Sequence, residues 1–134
     1  MQRKDSVVWL FIAGLLVVFV AGCAAAPPSP LELTKKDSGS TQNLAVGQEL
    51  RISLEANVTT GYSWTVDGSV PAQLEQVGEP KSTPSSDAIG AGGVQVWTFS
   101  GRSPGDGVLK LKYTRSFEPT APPAGTFEVN VKVK

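Results

Sequence analysis

From Leu31 onward the chain alternates apolar and polar residues over short stretches and never sustains the three-to-four-residue spacing of a helix face. Successive side chains of a strand point to opposite faces, so this alternation reads as a series of half-buried β-strands. Leu50, Ile52 and Leu54 interleave with Arg51, Ser53 and Glu55, and Tyr62, Trp64 and Val66 interleave with Ser63 and Thr65. The loop of residues 56–61 joins these two strands. Downstream, residues 93–100 are rich in Val, Trp and Phe, Leu109, Leu111 and Tyr113 alternate with Lys110 and Lys112, and Phe127, Val129, Val131 and Val133 alternate with Glu128, Asn130 and Lys132. Weaker strands are expected over residues 31–34 and 73–77. Residues 79–92, 101–107 and 115–125 carry the Pro, Gly and Ser of connecting loops.

About seven short strands in roughly 100 residues, with turn signals at nearly regular intervals, predict an all-β domain, an immunoglobulin-like β-sandwich of about seven strands. A closed barrel shares the same periodicity. Trp64 is expected at the centre of the core, where such sandwiches bury a strand Trp. A domain of this size buries about two-thirds of its unfolded surface, enough for one core without disulfides.

The residues before Leu31 follow a different pattern. Arg3 and Lys4 precede an apolar run from Val7 to Ala21, about the length of a signal-peptide core and short for a membrane span. The run ends in Val20-Ala21-Gly22-Cys23, which resembles the bacterial lipobox. That resemblance implies a lipoprotein signal peptide over residues 1–22 and lipidation of Cys23, so that the protein is exported and lipid-anchored to the cell envelope. Ala24, where Asp is associated with retention, favours the outer membrane over the inner. An uncleaved N-terminal helical anchor is the other reading, and it too exports the domain. Residues 23–30, with Pro27, Pro28 and Pro30, form an extended spacer, and residues 31–134 form the folded domain.

Composition removes most chemistry. Among 134 residues there are 12 basic and 12 acidic side chains, one Cys and no His. Without His there is no Ser/His/Asp triad, no Cys/His dyad and no His-ligated zinc, and one Cys builds neither an internal disulfide nor a Cys-rich metal site. No metal or cofactor is expected. The balanced charge offers no basic stripe for phosphates, so no nucleic-acid partner is expected either. An enzyme would have to work through carboxylates, but Glu118 and Asp87 lie in separate loops and nothing in the sequence pairs them. The domain is expected to be a monomer without catalytic activity.

Three loop segments carry the positive signal. Asn57-Val58-Thr59-Thr60-Gly61-Tyr62-Ser63-Trp64 resembles the first-loop signature of the chagasin-type inhibitors of cysteine peptidases, which reads Asn, usually Pro, Thr, Thr, Gly, Tyr, any residue, Trp. Gly90-Ala91-Gly92-Gly93, followed by Val94 to Phe99, is similar to that family's Gly-rich second loop. Tyr113-Thr114-Arg115-Ser116-Phe117-Glu118-Pro119 is similar to its third, whose core is Arg, Pro, then Trp or Phe. The resemblance covers the whole exported domain, with Val58 and Ser116 standing where the family usually has Pro.

This resemblance implies a reversible protein inhibitor of papain-like cysteine peptidases that occludes the active-site cleft with three loops at one end of a β-sandwich. The implied peptidase-binding residues are Asn57, Thr59, Thr60, Gly61 and Tyr62 in the first loop, Gly90, Gly92 and Gly93 in the second, and Arg115 and Phe117 in the third. Membrane attachment would run through lipid on Cys23. The rival reading is an immunoglobulin-like envelope or adhesion lipoprotein that uses the same loops to bind a glycan or a surface protein.

Overall fold

The computed structural model of the chain describes Gly22 and residues 26–134. The expected signal peptide, apart from Gly22, and the expected lipidation site at Cys23 lie outside the described residues. Nine strands follow in chain order: β1 (Leu31–Thr34), β2 (Thr41–Leu44), β3 (Glu49–Ala56), β4 (Tyr62–Val66), β5 (Leu74–Gln76), β6 (Lys81–Pro84), β7 (Gly93–Gly101), β8 (Gly105–Arg115) and β9 (Gly125–Val133). One sheet is ordered β1-β3-β7-β5 with β6 also paired to β7, and the other is ordered β2-β9-β8-β4. The all-β sandwich expected from the alternation is the fold the chain adopts.

Two of the nine strands have no counterpart among the seven expected, and both are held by backbone pairing rather than by side-chain alternation. In β2 only Leu44 is buried, and the strand is recruited by parallel pairing with β9, from Thr41 opposite Asn130 to Leu44 opposite Val133. In β6, expected as part of the 79–92 loop, all four residues are exposed. It forms by antiparallel pairing with β7, with Lys81 opposite Val96 and Pro84 opposite Gly93. It is an edge strand, where a Pro without an N–H is tolerated. The expected loop over 101–107 shrinks to residues 102–104, because β7 runs through Gly101 and β8 begins at Gly105.

The core lies between the sheets. Leu50, Ile52 and Leu54 of β3, Phe99 of β7, Leu109 and Leu111 of β8, and Phe127, Val129 and Val131 of β9 are buried, each contributing about 1.5–3 kcal/mol by leaving water. Trp64 and Trp97 are buried with them.

Among the described residues one polar side chain is buried in this core: Gln95, 5% exposed, on the inward face of β7. Its Oε1 accepts the Trp64 backbone N–H at 2.8 Å, and its Nε2 donates to the Trp64 carbonyl at 3.2 Å. Trp64 lies on β4, an edge strand paired only with β8. Its outward N–H and C=O would otherwise be buried without partners. The Gln95 amide therefore acts as the missing neighbouring strand and ties the two sheets together across the gap.

Strand directions give the sandwich two unlike ends. At one end β3, β6 and β8 finish and β4, β7 and β9 begin, so the connections 57–61, 85–92 and 116–124 emerge together. At the other end β1 starts beside the start of β3, with Leu31 opposite Leu50, and Lys134 donates its N–H to the Leu44 carbonyl at 2.9 Å.

Candidate functional site

The first loop is a single 3₁₀ turn, Val58–Thr60, closed by Gly61 in the left-handed conformation at φ +81°. Asn57 organises it. The Asn57 backbone N–H donates to the Tyr113 hydroxyl at 2.8 Å, its carbonyl accepts the Thr60 N–H at 3.2 Å and the Thr60 Oγ1–H at 2.7 Å, and its side-chain Oδ1 accepts the Thr59 hydroxyl. The Gly61 N–H donates to the Val58 carbonyl at 3.1 Å. Both Thr hydroxyls thus spend their protons inside the loop and keep their oxygen lone pairs as acceptors on an exposed tip.

A stack of rings carries this order from the core to the rim. Trp64 and Tyr113 face each other across β4 and β8 with ring centroids 5.1 Å apart, and Tyr62 stacks on Tyr113 at the same distance. Arg115, opposite Tyr62, lays its guanidinium 4.3 Å from the Tyr62 ring centroid and 5.7 Å from that of Phe117. The Phe117 ring then rests on the first loop: a Cβ placed on Gly61 would lie 2.6 Å from Phe117 Cε1. The first and third loops form one packed unit, and Phe117 remains 65% exposed at its edge.

The second loop joins from the other side through Asn57, whose Nδ2 donates to the Gly90 carbonyl at 3.3 Å. Gly90 has φ +79°, which an L side chain rarely adopts. At the loop base the Gly92 carbonyl accepts the Ser85 backbone N–H at 2.8 Å and the Ser85 hydroxyl. Gly93 is the first residue of β7, and a Cβ there would collide with the Thr83 carbonyl of β6. A cleft of about 520 Å³, lined by Ala56, Asn57, Ser85, Gly92, Val94 and Tyr113 among others, separates the first two loops.

The residues expected from the sequence at the site, Asn57, Thr59, Thr60, Gly61, Tyr62, Gly90, Gly92, Gly93, Arg115 and Phe117, therefore come together on one edge. Three further residues belong with them that sequence reasoning passed over. Tyr113 supplies the hydroxyl that holds Asn57, Gln95 holds the strand that holds Tyr62, and Ile89 projects fully exposed from the second loop. Ile89 had a signal, since it is the large aliphatic residue in a Ser-, Pro- and Gly-rich segment. With Val58 and Phe117, it gives each loop one large exposed hydrophobic side chain. Phe117→Ala is expected to weaken binding of a partner at this edge by about 1–3 kcal/mol, as for an interface aromatic, with no loss of melting temperature; competition titration checks it.

The family model described as "Chagasin family peptidase inhibitor I42" matches residues 43–131, which contain all three loops. Chagasin of Trypanosoma cruzi is 28% identical over 105 residues, covering 75% of this chain and 96% of that protein. Amoebiasin-1 of Entamoeba histolytica is 31% identical over 106 residues, covering 78% of this chain and 100% of that protein. The crystal structure of a cysteine protease inhibitor from Entamoeba histolytica superposes with a TM-score of 0.67 at 19% identity, covering 79% of this chain and 96% of that one, a likeness of fold. With the matched fold and all three loops assembled on one edge, the chain belongs to the chagasin family of peptidase inhibitors.

Proposed function

We propose that this protein inhibits papain-like cysteine peptidases reversibly by seating its three-loop edge in the active-site cleft, with no covalent step. The observation that carries the reading is the joining of the loops: Asn57 binds the second loop and Gly61 supports Phe117 of the third, so one rigid wedge is presented rather than three independent tips. Because the wedge is ordered before binding, little conformational entropy remains to be lost.

The target cleft is V-shaped and holds a thiolate paired with an imidazolium. The Thr59–Thr60 tip is narrow, and its hydroxyl oxygens are free to accept hydrogen bonds from such cationic donors. Its backbone is a 3₁₀ turn, not the extended strand in which a peptide is presented for cleavage, so no scissile carbonyl lies in line with the thiolate. Arg115 with Phe117 packs on one rim and the second loop on the other. Such an interface buries about 800 Å² per partner.

The lipobox at Val20 to Cys23 supports export and lipid attachment at Cys23, which puts the inhibitor on the cell envelope, with the outer membrane favoured. Incorporation of labelled palmitate that disappears in Cys23→Ser checks the attachment. The first loop is tested by Thr60→Asp, which sets a carboxylate beside the thiolate. Inhibition of papain should weaken by about tenfold or more, the scale of a like-charge contact at a binding surface. The melting temperature should change little, because Thr60 is exposed and the hydroxyl bond lost to the Asn57 carbonyl is confined to the loop tip. Unaltered inhibition would remove the first loop from the wedge.

A further inference from the structure

The end of the sandwich that receives the N-terminal segment lies opposite the inhibitory edge, and the segment is fastened there. β1 runs parallel to β3, so Leu31 enters beside Leu50 while β3 continues to Ala56 and the first loop. Gln48, in the turn at that distant end, donates from Nε2 to the Ser29 carbonyl at 2.8 Å, and its Oε1 accepts the Ala45 N–H at 2.9 Å. The approach to the domain is thereby set by a hydrogen bond one residue before Pro30. The exposed Pro27, Pro28 and Pro30 favour an extended, semi-rigid course over residues 27–30.

We infer that the domain is oriented to inhibit while held to a surface through its N-terminal segment, with the three-loop edge directed away from that surface, and that the peptidase it meets is a soluble one arriving from the far side. This rests on the inhibitor and tether readings above. The eight residues of β3 set the edge about 26 Å above the point of entry at about 3.3 Å per residue. The six residue-to-residue steps from Cys23 to Ser29 reach at most about 20 Å further. A peptidase lying on the same bilayer would have to turn its cleft back toward the membrane from about 26 Å away at the least and up to about 45 Å with the segment extended. A soluble enzyme meets no such constraint.

The test uses the fragment 24–134, which contains every buried residue of the core. It has no Cys of its own, because the chain's one Cys is Cys23. Ala26→Cys puts a thiol on the N-terminal segment and Ser86→Cys puts one in the second loop; each is coupled to maleimide-lipid vesicles of phosphatidylcholine, and papain is titrated with the free and tethered forms. The Ala26→Cys protein should inhibit within about threefold of its free form, and the tethered Ser86→Cys protein at least tenfold more weakly than its own free form. Loss of inhibition on tethering through Ala26→Cys, or equal effects of the two tethers, would overturn the inference while leaving the inhibitor reading intact. Failure of the free fragment to inhibit would overturn both.

Discussion

Gly61→Val should weaken inhibition of papain by about 1.5–3.5 orders of magnitude, from a loss of about 2–5 kcal/mol in binding, and still yield a folded domain. At φ +81° a β-branched residue is strained, at a cost of about 1–2 kcal/mol for the left-handed backbone alone. The new Cβ would also overlap Phe117 Cε1, so the ring must leave the first loop. That forfeits a further 1–3 kcal/mol or so, as for a displaced interface aromatic. In the free protein the exposed loop and ring can relax, so the damage to stability is small. Binding must restore the original geometry, so the cost falls on the inhibition constant. Gly61→Ala should show the same direction with a smaller effect. An inhibition constant unchanged in Gly61→Val would mean that the contact between the first and third loops plays no part in the wedge.

Gln95→Leu should destabilise the domain strongly even though it makes the core more apolar. Leu is similar in size, but it leaves the Trp64 N–H and C=O buried without partners, and each orphaned group costs about 1–3 kcal/mol. A total of about 2–6 kcal/mol corresponds to a melting temperature lower by about 10–25 °C in a domain of this size. Chemical and thermal denaturation read this directly. Inhibition measured well below the melting point should also weaken, because Trp64 and Tyr62, which stack on Tyr113 of β8 beneath the first loop, both stand on β4. Wild-type stability in Gln95→Leu would contradict the role given to the amide as a stand-in strand.

Strands with full alternation were legible in the sequence because burial on one face imposes a period of two. The residues of β3, β8 and β9 carry that period in their own side chains. The same signal is missing from β2 and β6, whose existence depends on backbone groups of β9 and β7 that no local pattern records. At the site, motif order and spacing located all three loops, yet the residues that join them were hidden. Tyr113 reads as one more alternating strand residue and Gln95 as one polar residue in an apolar run. Their partners, Asn57 and Trp64, are distant in sequence.

The two departures from the family signature also find a physical account in the fold. Val58 opens the 3₁₀ turn where Pro would fix φ, and the bonds converging on Asn57 hold that turn instead. Ser116 occupies the second position of a turn in which the Glu118 N–H donates to the Arg115 carbonyl at 3.2 Å, a position that favours Pro but accepts most residues. An ion pair from Arg115 to Glu118 at 3.5 Å spans the same turn. Hydrogen bonds thus supply the order that Pro rings would have fixed covalently.

The most direct measurement is a titration of papain and of a cathepsin L-like peptidase with the fragment 24–134, following hydrolysis of a fluorogenic peptide, with trypsin as control. The wedge predicts tight, reversible inhibition of both cysteine peptidases and none of trypsin, with the inhibitor recovered uncleaved. Absence of inhibition at micromolar concentration, or equal inhibition of trypsin, would contradict it.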